Sequence, residues 1–141
     1  MSASEIAILD LTFVWLGMVL AISFLEAPLK FRAPGVTLQI GLGIGRMVFR
    51  ALNGIEVVLA LGILLAVLLD PPRTGVIVPL AVAGAVLVAQ LAFVRPRLTR
   101  RSNAVLAGAD APRSHAHYAY VGLELVKVAA LILGGVLLST S

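Results

Sequence analysis

Four long apolar blocks dominate the sequence and limit the folds that are open to it. They cover residues 6–25, 47–69, 76–94 and 118–138. Each is close to the roughly 20 residues that a helix needs to cross a hydrocarbon core of about 30 Å. In that core only helices and closed barrels satisfy their own backbone polar groups, and Leu- and Ala-rich blocks without strict alternation favour helices. With 60% hydrophobic and 13% charged residues, the chain also lacks the composition of a soluble domain.

We therefore predict an all-α integral membrane protein, a single domain folded as a four-helix bundle. The spans are expected at about 6–26, 46–69, 76–94 and 115–138. Pro28 should end the first span, because proline disfavours helical geometry in the residue before it. The glycine-containing segment 33–45 is expected to lie on the membrane surface or to re-enter it partly. Segment 95–113, rich in arginine, is expected to be a hydrophilic loop.

The distribution of positive charge predicts the orientation. Loops 1 and 3 lie on the same side of a four-span protein, and the opposite side has only Arg73. Together with the entrance to span 2, these loops hold Lys30, Arg32, Arg46, Arg95, Arg97, Arg100, Arg101 and Arg113. The positive-inside rule then predicts cytoplasmic loops 1 and 3 and both termini outside, in a bacterial cytoplasmic membrane. Since topology explains the net charge of +4, no nucleic-acid partner is needed.

Ionisable residues inside the spans are the candidates for a site. A charge at the centre of a lipid-exposed helix costs roughly 2.5–3.5 kcal/mol on insertion scales, so Glu56 must meet a partner. Counted from the outer ends of their spans, Glu56 lies thirteen residues deep and Lys127 eleven, a difference of roughly 3 Å. A pairing of Glu56 with Lys127 is therefore allowed. So is a pairing of Glu124 with Arg50 or Asn53.

These residues form a predicted cluster in the inner, cytoplasmic half of the bundle. Four of them follow helical steps of three and four along one face of span 4, and two more, from spans 1 and 3, fall near the same depth. The candidates for a ligand or proton pathway are Glu26, Arg50, Asn53, Glu56, Gln90, His117, Tyr120, Glu124 and Lys127. Structural interpretations stay open: Glu56 and Lys127 as a plain ion pair, and Glu26 as an interfacial charge.

Common catalytic and metal-binding patterns are missing from the sequence. It has no cysteine, no Glu-x-x-His pair and no recognisable Ser-His-Asp or Cys-His arrangement, and Arg50 and Lys127 would repel a metal ion. We therefore predict no metal ligands and no catalytic residues, and the sequence identifies no cofactor. A pocket of mixed charge suits a proton relay or the recognition of a small charged solute.

The preferred hypothesis is a small transport or permeation protein for protons or a small charged solute. Four short helices seldom enclose a pathway, so we expect a homo-oligomer in the lipid bilayer, with small residues at its contacts. The small residues available are Gly54, Gly84, Gly134 and Gly135. Less favoured is a membrane enzyme, or a cofactor- or metal-binding protein, that uses Glu56, Glu124 and His117. A structural subunit of a membrane complex is the third hypothesis.

One segment carries a resemblance to a known family. FLEAPLKFRAPG, residues 24–35, resembles the entry pattern of the transmembrane protein 205-like family, a four-span domain of unknown function. The matching features are Ala27-Pro28, Phe31-Arg32, Trp15, Gly17, and Arg113 with His115 before the last span. The resemblance implies a small four-span membrane protein of unsettled activity, loosely linked to solute or metal resistance. Glu124 and Lys127 depart from the family's pattern.

Overall fold

The computed structural model describes residues 1–108 and 115–141, and all the regular structure in that part is helical. Four long helices make up the fold: α1 (Ala3–Lys30), α2 (Leu38–Leu69), α3 (Thr74–Leu106) and α4 (His115–Ser139). Each is long and apolar enough to cross a membrane, and the described residues contain no strand. The predicted all-α class with four potential membrane spans is confirmed. Arg113, counted above among the basic residues and the family features, lies outside the described residues.

The helices alternate in direction around the bundle. α1 packs against α2 on one side and against α4 on the other, and α4 packs in turn against α3. α2 meets α3 mainly where the beginning of α2 passes the last turns of α3, and there Gln39 Nε2 donates to Val105 O at 3.3 Å. α1 and α3 therefore end where α2 and α4 begin. We call this the basic end, because it carries Lys30 and the arginines of segment 95–101.

The half of the bundle away from the basic end has an apolar core. Its buried residues include Ile8, Leu59, Ile63, Ala66, Val76, Leu80, Leu131 and Leu138. Large apolar side chains cover the outer surfaces of all four helices, as lipid contact requires. Two hydrogen bonds from side chains to backbone carbonyls link the helices at the end opposite the basic end. Ser4 Oγ donates to the carbonyl of Ala66 at 2.8 Å, and Arg73 Nη2 donates to the carbonyl of Leu137 at 2.9 Å.

Most of the glycine-containing segment is helical, since residues 38–45 form the first turns of α2. Its position at the membrane surface stays a prediction. α2 begins at Leu38, after Thr37 has capped it by accepting the N–H of Ile40 at 3.2 Å. The ring of Phe31 lies directly on Gly41, where a Cβ would overlap it. The small residue thus lets the end of α1 pack on the backbone of α2, and this close packing outweighs the low helix propensity of glycine.

Two π-helical turns carry α1 and α3 past their prolines. The turns cover residues 22–26 and 90–94, and each begins six residues before a proline, Pro28 or Pro96. In a regular α-helix the proline ring would clash with the carbonyl four residues back, and a wider turn lets the helix pass it. The predictions that Pro28 ends α1 and that segment 95–113 is entirely a loop are therefore wrong.

Helix length explains the shape of the basic end. α2 has 32 residues and α3 has 33, which corresponds to about 48 and 50 Å, whereas the hydrocarbon core is about 30 Å thick. At the other end the two helices are joined by the short segment 70–73, so the additional turns stand at the basic end. There they extend the walls of the bundle and enclose a cavity.

Two of the glycines expected at oligomer contacts lie inside the protomer. A Cβ on Gly134 would lie 3.0 Å from Leu80 Cδ2, and one on Gly135 would lie 2.7 Å from Phe13 Cζ. These glycines allow α4 to approach α3 and α1, so the prediction that they are available for oligomer contacts is wrong. A Cβ on Gly54 or Gly84 would meet nothing within 4 Å.

Candidate functional site

A buried ion cluster lies between α2 and α4. Lys127 Nζ is 2.6 Å from Glu56 Oε1 and 2.7 Å from Glu124 Oε1, and all three side chains are at most 1% exposed. Glu124 and Lys127 are one helical turn apart on α4, while Glu56 comes from the middle of α2. The pairing of Glu56 with Lys127 that their similar depth allows is thus present.

Polar side chains from α1 and α3 complete this cluster. Trp15 Nε1 donates to Glu56 Oε1 at 2.9 Å, and Ser23 Oγ donates to Glu124 Oε2 at 2.7 Å. Gln90 Nε2 donates to Glu124 Oε1 at 3.4 Å. Ser23 and Gln90 belong to the two π-helical turns, which therefore bring polar groups of α1 and α3 onto the same carboxylate. Such turns are frequent at functional sites.

The cluster contains more acid than base. Two carboxylates share one ammonium group, so one negative charge is in excess when both are ionised. Within the described residues, Glu56 Oε2 and Gln90 Oε1 are buried without a hydrogen-bond partner. Removing charges from water is expensive, and an apolar bundle compensates for it only through close pairing. Glu56 Oε2 is therefore a free acceptor beside a group that carries excess negative charge.

A cavity of about 880 Å³ lies at the basic end, between the ends of α1 and α3 and the beginnings of α2 and α4. Its described lining contains one carboxylate, Glu124, which is already bound to Lys127. The cationic side chains and the histidine that line it are Lys30, Arg46, Arg50, Arg95, Arg101 and His117. Because the basic groups outnumber the acid, the cavity attracts anions.

Aromatic rings hold the guanidinium group of Arg95 at the cavity wall. It lies 5.3 Å from the ring centroid of Phe49 and 4.7 Å from that of Tyr120, within the range of a cation–π contact. The two rings meet edge to face, with their centroids 6.0 Å apart. Lys30 Nζ lies 5.6 Å from the same Phe49 ring. Nε and Nη2 of Arg95 are buried and have no hydrogen-bond partner in the described part of the chain.

The structure brings eight of the nine candidate residues together. Glu56, Gln90 and Lys127 belong to the ion cluster. Glu124 belongs to both the cluster and the cavity. The candidates that line the cavity without joining the cluster are Arg50, Asn53, His117 and Tyr120.

Glu26 is not part of the cluster or the cavity lining, and Glu124 has other partners than those predicted. Glu26 stands apart from the eight: its side chain is 32% exposed and is 3.6 Å from Lys30 Nζ, as the interpretation as an interfacial charge expects. Glu124 bonds to Lys127, Ser23 and Gln90 instead of pairing with Arg50 or Asn53.

Four residues of the cluster and the cavity wall were not predicted from the sequence: Trp15, Ser23, Lys30 and Arg95. A signal existed for Trp15, because a buried indole N–H usually has an acceptor, and Trp15 lies in the middle of a span. Ser23 could have been selected as a hydroxyl within an apolar helix. Nothing in the sequence separates Arg95 from the other arginines of its segment.

Comparisons with protein-family models, with curated proteins and with solved structures show no match to this chain. The resemblance to the transmembrane protein 205-like family therefore stays a prediction. Among the described residues, no three His, Cys, Asp or Glu side chains are grouped so that they could hold a metal ion. The function must be inferred from the cluster and the cavity themselves.

Proposed function

We propose that the protein is a small transport or permeation protein, in which a proton or a small charged solute enters the basic cavity and meets the ion cluster. The observation that carries the proposal is the position of Glu124. Its side chain lines the cavity, and it is also bonded to Lys127 inside the cluster. A group that arrives through the cavity therefore reaches an ionisable side chain in the bundle interior, where intramembrane charges commonly serve ion pathways.

The opposite charges of the basic cavity and the ion cluster suggest a different role for each. The basic lining of the cavity raises the local concentration of anions, while the excess negative charge of the cluster binds a proton. We therefore favour a small anion as the solute, with its movement linked to a proton on the cluster. By the positive-inside rule the cavity would face the cytoplasm of a bacterial cell. The expected homo-oligomer stays a prediction that the mass of the detergent-solubilised protein would test.

Proton flux into liposomes tests this function directly. Purified protein is reconstituted with a pH-sensitive dye inside the vesicles, a potassium gradient with valinomycin drives the protons, and the flux is measured with and without inorganic phosphate outside. We expect Glu124→Gln to lower the rate about a hundredfold or more, the size of effect expected when one positioned proton-transfer group is lost. The variant should still fold, because Glu56 and Lys127 remain as a neutral pair.

Glu26→Gln is the matched control. It also removes a carboxylate near the basic end, but Glu26 lies outside both the cluster and the cavity lining. We expect this variant to keep the rate of the wild type. Flux that is the same with and without protein, or that Glu124→Gln leaves unchanged, would contradict the proposed function.

A further inference from the structure

Arg95 has the properties of a binding group that lacks its ligand. Its guanidinium lines the cavity and rests on Phe49 and Tyr120. None of the salt bridges among the described residues involves it. Nε and Nη2 are buried without a hydrogen-bond partner in the described residues. Buried donors on a charged group are costly when they are left unpaired, so native proteins usually satisfy them. An acceptor in the adjacent cavity would remove that cost.

We propose that Arg95 binds the oxyanion group, a carboxylate or a phosphate, of the ligand that occupies the basic cavity. This rests on the proposed function only in using the same cavity. The planar guanidinium matches the two oxygens of such a group, and it donates two parallel hydrogen bonds to them. The aromatic rings restrict its plane, so less rotational freedom is lost on binding.

The neighbouring charges favour the same ligand. Arg46 and Arg50 line the cavity, and neither takes part in the salt bridges among the described residues. Glu124, the acid of the described lining, is engaged by Lys127 and hydrogen-bonded by Ser23, so its repulsion of an anion is reduced. An oxyanion held at Arg95 would therefore lie in a positive field that other arginines reinforce.

The ligand's oxyanion has two possible sources, a free solute or a lipid headgroup. Leucine and phenylalanine side chains supply much of the cavity wall. Leu91 also lines an apolar cleft of about 360 Å³ between α2 and α3, so the cavity and the cleft adjoin. A chain attached to the oxyanion could enter that cleft. Free and chain-bearing anions must therefore be compared.

The test is ligand-induced stabilisation of the purified protein in dodecyl maltoside, at constant ionic strength. A ligand that binds only the folded state stabilises it by RT ln(1 + L/Kd), where L is the free ligand concentration, so the unfolding temperature rises with the logarithm of that concentration once it exceeds Kd. The probes are inorganic phosphate, octyl phosphate, and phosphatidylglycerol with phosphatidylcholine as its uncharged counterpart. We expect at least one anionic probe to stabilise the wild type. Stabilisation by inorganic phosphate indicates a free solute, whereas stabilisation by the chain-bearing anions alone indicates a lipid headgroup.

Substitutions of Arg95 then locate the binding. Arg95→Gln should lower the affinity for the stabilising probe at least tenfold. Arg95→Lys should lower that affinity less, because lysine keeps the charge but loses the paired donors. Arg97→Gln is the matched control: it removes the same charge two residues further on, where the side chain is exposed and outside the cavity lining.

Three results would overturn the assignment. They are no stabilisation by any anionic probe, equal weakening by Arg97→Gln and Arg95→Gln, and unchanged binding in a folded Arg95→Lys. If Arg95→Gln does not fold, Arg95→Lys decides the question alone, since weakened binding at normal thermal stability supports the proposal. Failure of this inference would leave the flux that depends on Glu124 intact. Failure of the transport proposal would leave the stabilisation by anions intact.

Discussion

Replacing Lys127 by methionine should destabilise the protein strongly. The ammonium group is buried, and it touches one oxygen of Glu56 and one of Glu124 at 2.6 and 2.7 Å. Without the ammonium group, the two carboxylate oxygens that it now bridges would face each other in an apolar bundle. Removing one partner of a buried ion pair costs about 3–5 kcal/mol. That is a large share of the roughly 5–15 kcal/mol by which proteins are stable.

The assay is reversible unfolding in mixed micelles of dodecyl maltoside and dodecyl sulfate, followed by circular dichroism. Lys30→Met is the matched control, because Lys30 pairs with a partly exposed carboxylate at 3.6 Å. The Lys30 side chain is itself 9% exposed, but Glu26 is 32% exposed and stays solvated without it, so this loss should be about 0–1 kcal/mol, as for a surface pair. Adding Glu56→Gln and Glu124→Gln to Lys127→Met should restore most of the loss, since the glutamine at position 56 can still accept from Trp15. The reasoning is refuted if Lys127→Met costs no more than Lys30→Met, or if the two glutamines recover nothing.

Two further pairs of variants test packing and burial by thermal unfolding. Gly41→Ala should lower the stability, because the added Cβ overlaps the ring of Phe31. Gly43→Ala should raise the stability by up to about 1 kcal/mol, because its Cβ meets nothing within 4 Å and alanine favours the helix. A loss of stability at both positions would contradict this account. Thr12→Val removes a buried hydroxyl without a described partner and should cost nothing, whereas Ser23→Ala breaks the bond to Glu124 and should cost about 0.6–2 kcal/mol. Equal losses from the two hydroxyl variants would show that the bond to Glu124 has no net value.

The spans and the main ion pair could be predicted because each follows from one physical constraint. The thickness of the hydrocarbon core sets the length of an apolar block, and the cost of an isolated charge requires a partner at the same depth. Glu56 and Lys127 satisfy the second constraint on two helices that run in the same direction. Both features depend on position along a helix, which the sequence gives directly.

The course of the chain at the basic end could not be predicted, because local rules were overridden by tertiary packing. Pro28 and Pro96 indicate helix ends in isolation, but a π-helical turn before each lets the helix continue. Gly41 lowers helix propensity, yet it permits the contact with Phe31. A pocket of mixed charge was predicted in this half, but the cavity is built from these continued helices, so its extent and the special position of Arg95 could not be predicted.

Access to the ion cluster is unequal from its two sides. Of its three charged residues, Glu124 lines the cavity, and neither Glu56 nor Lys127 does. Towards the other end, the indole of Trp15 is bonded to Glu56, and beyond it lies the apolar core. For the transport function that we propose, the cluster would exchange with the cavity side alone, and a transport cycle would require the apolar half to open. The apolar cleft separates α2 from α3 in that half, where these two helices pack against each other less than the other neighbouring pairs do, so we expect the proposed opening between them.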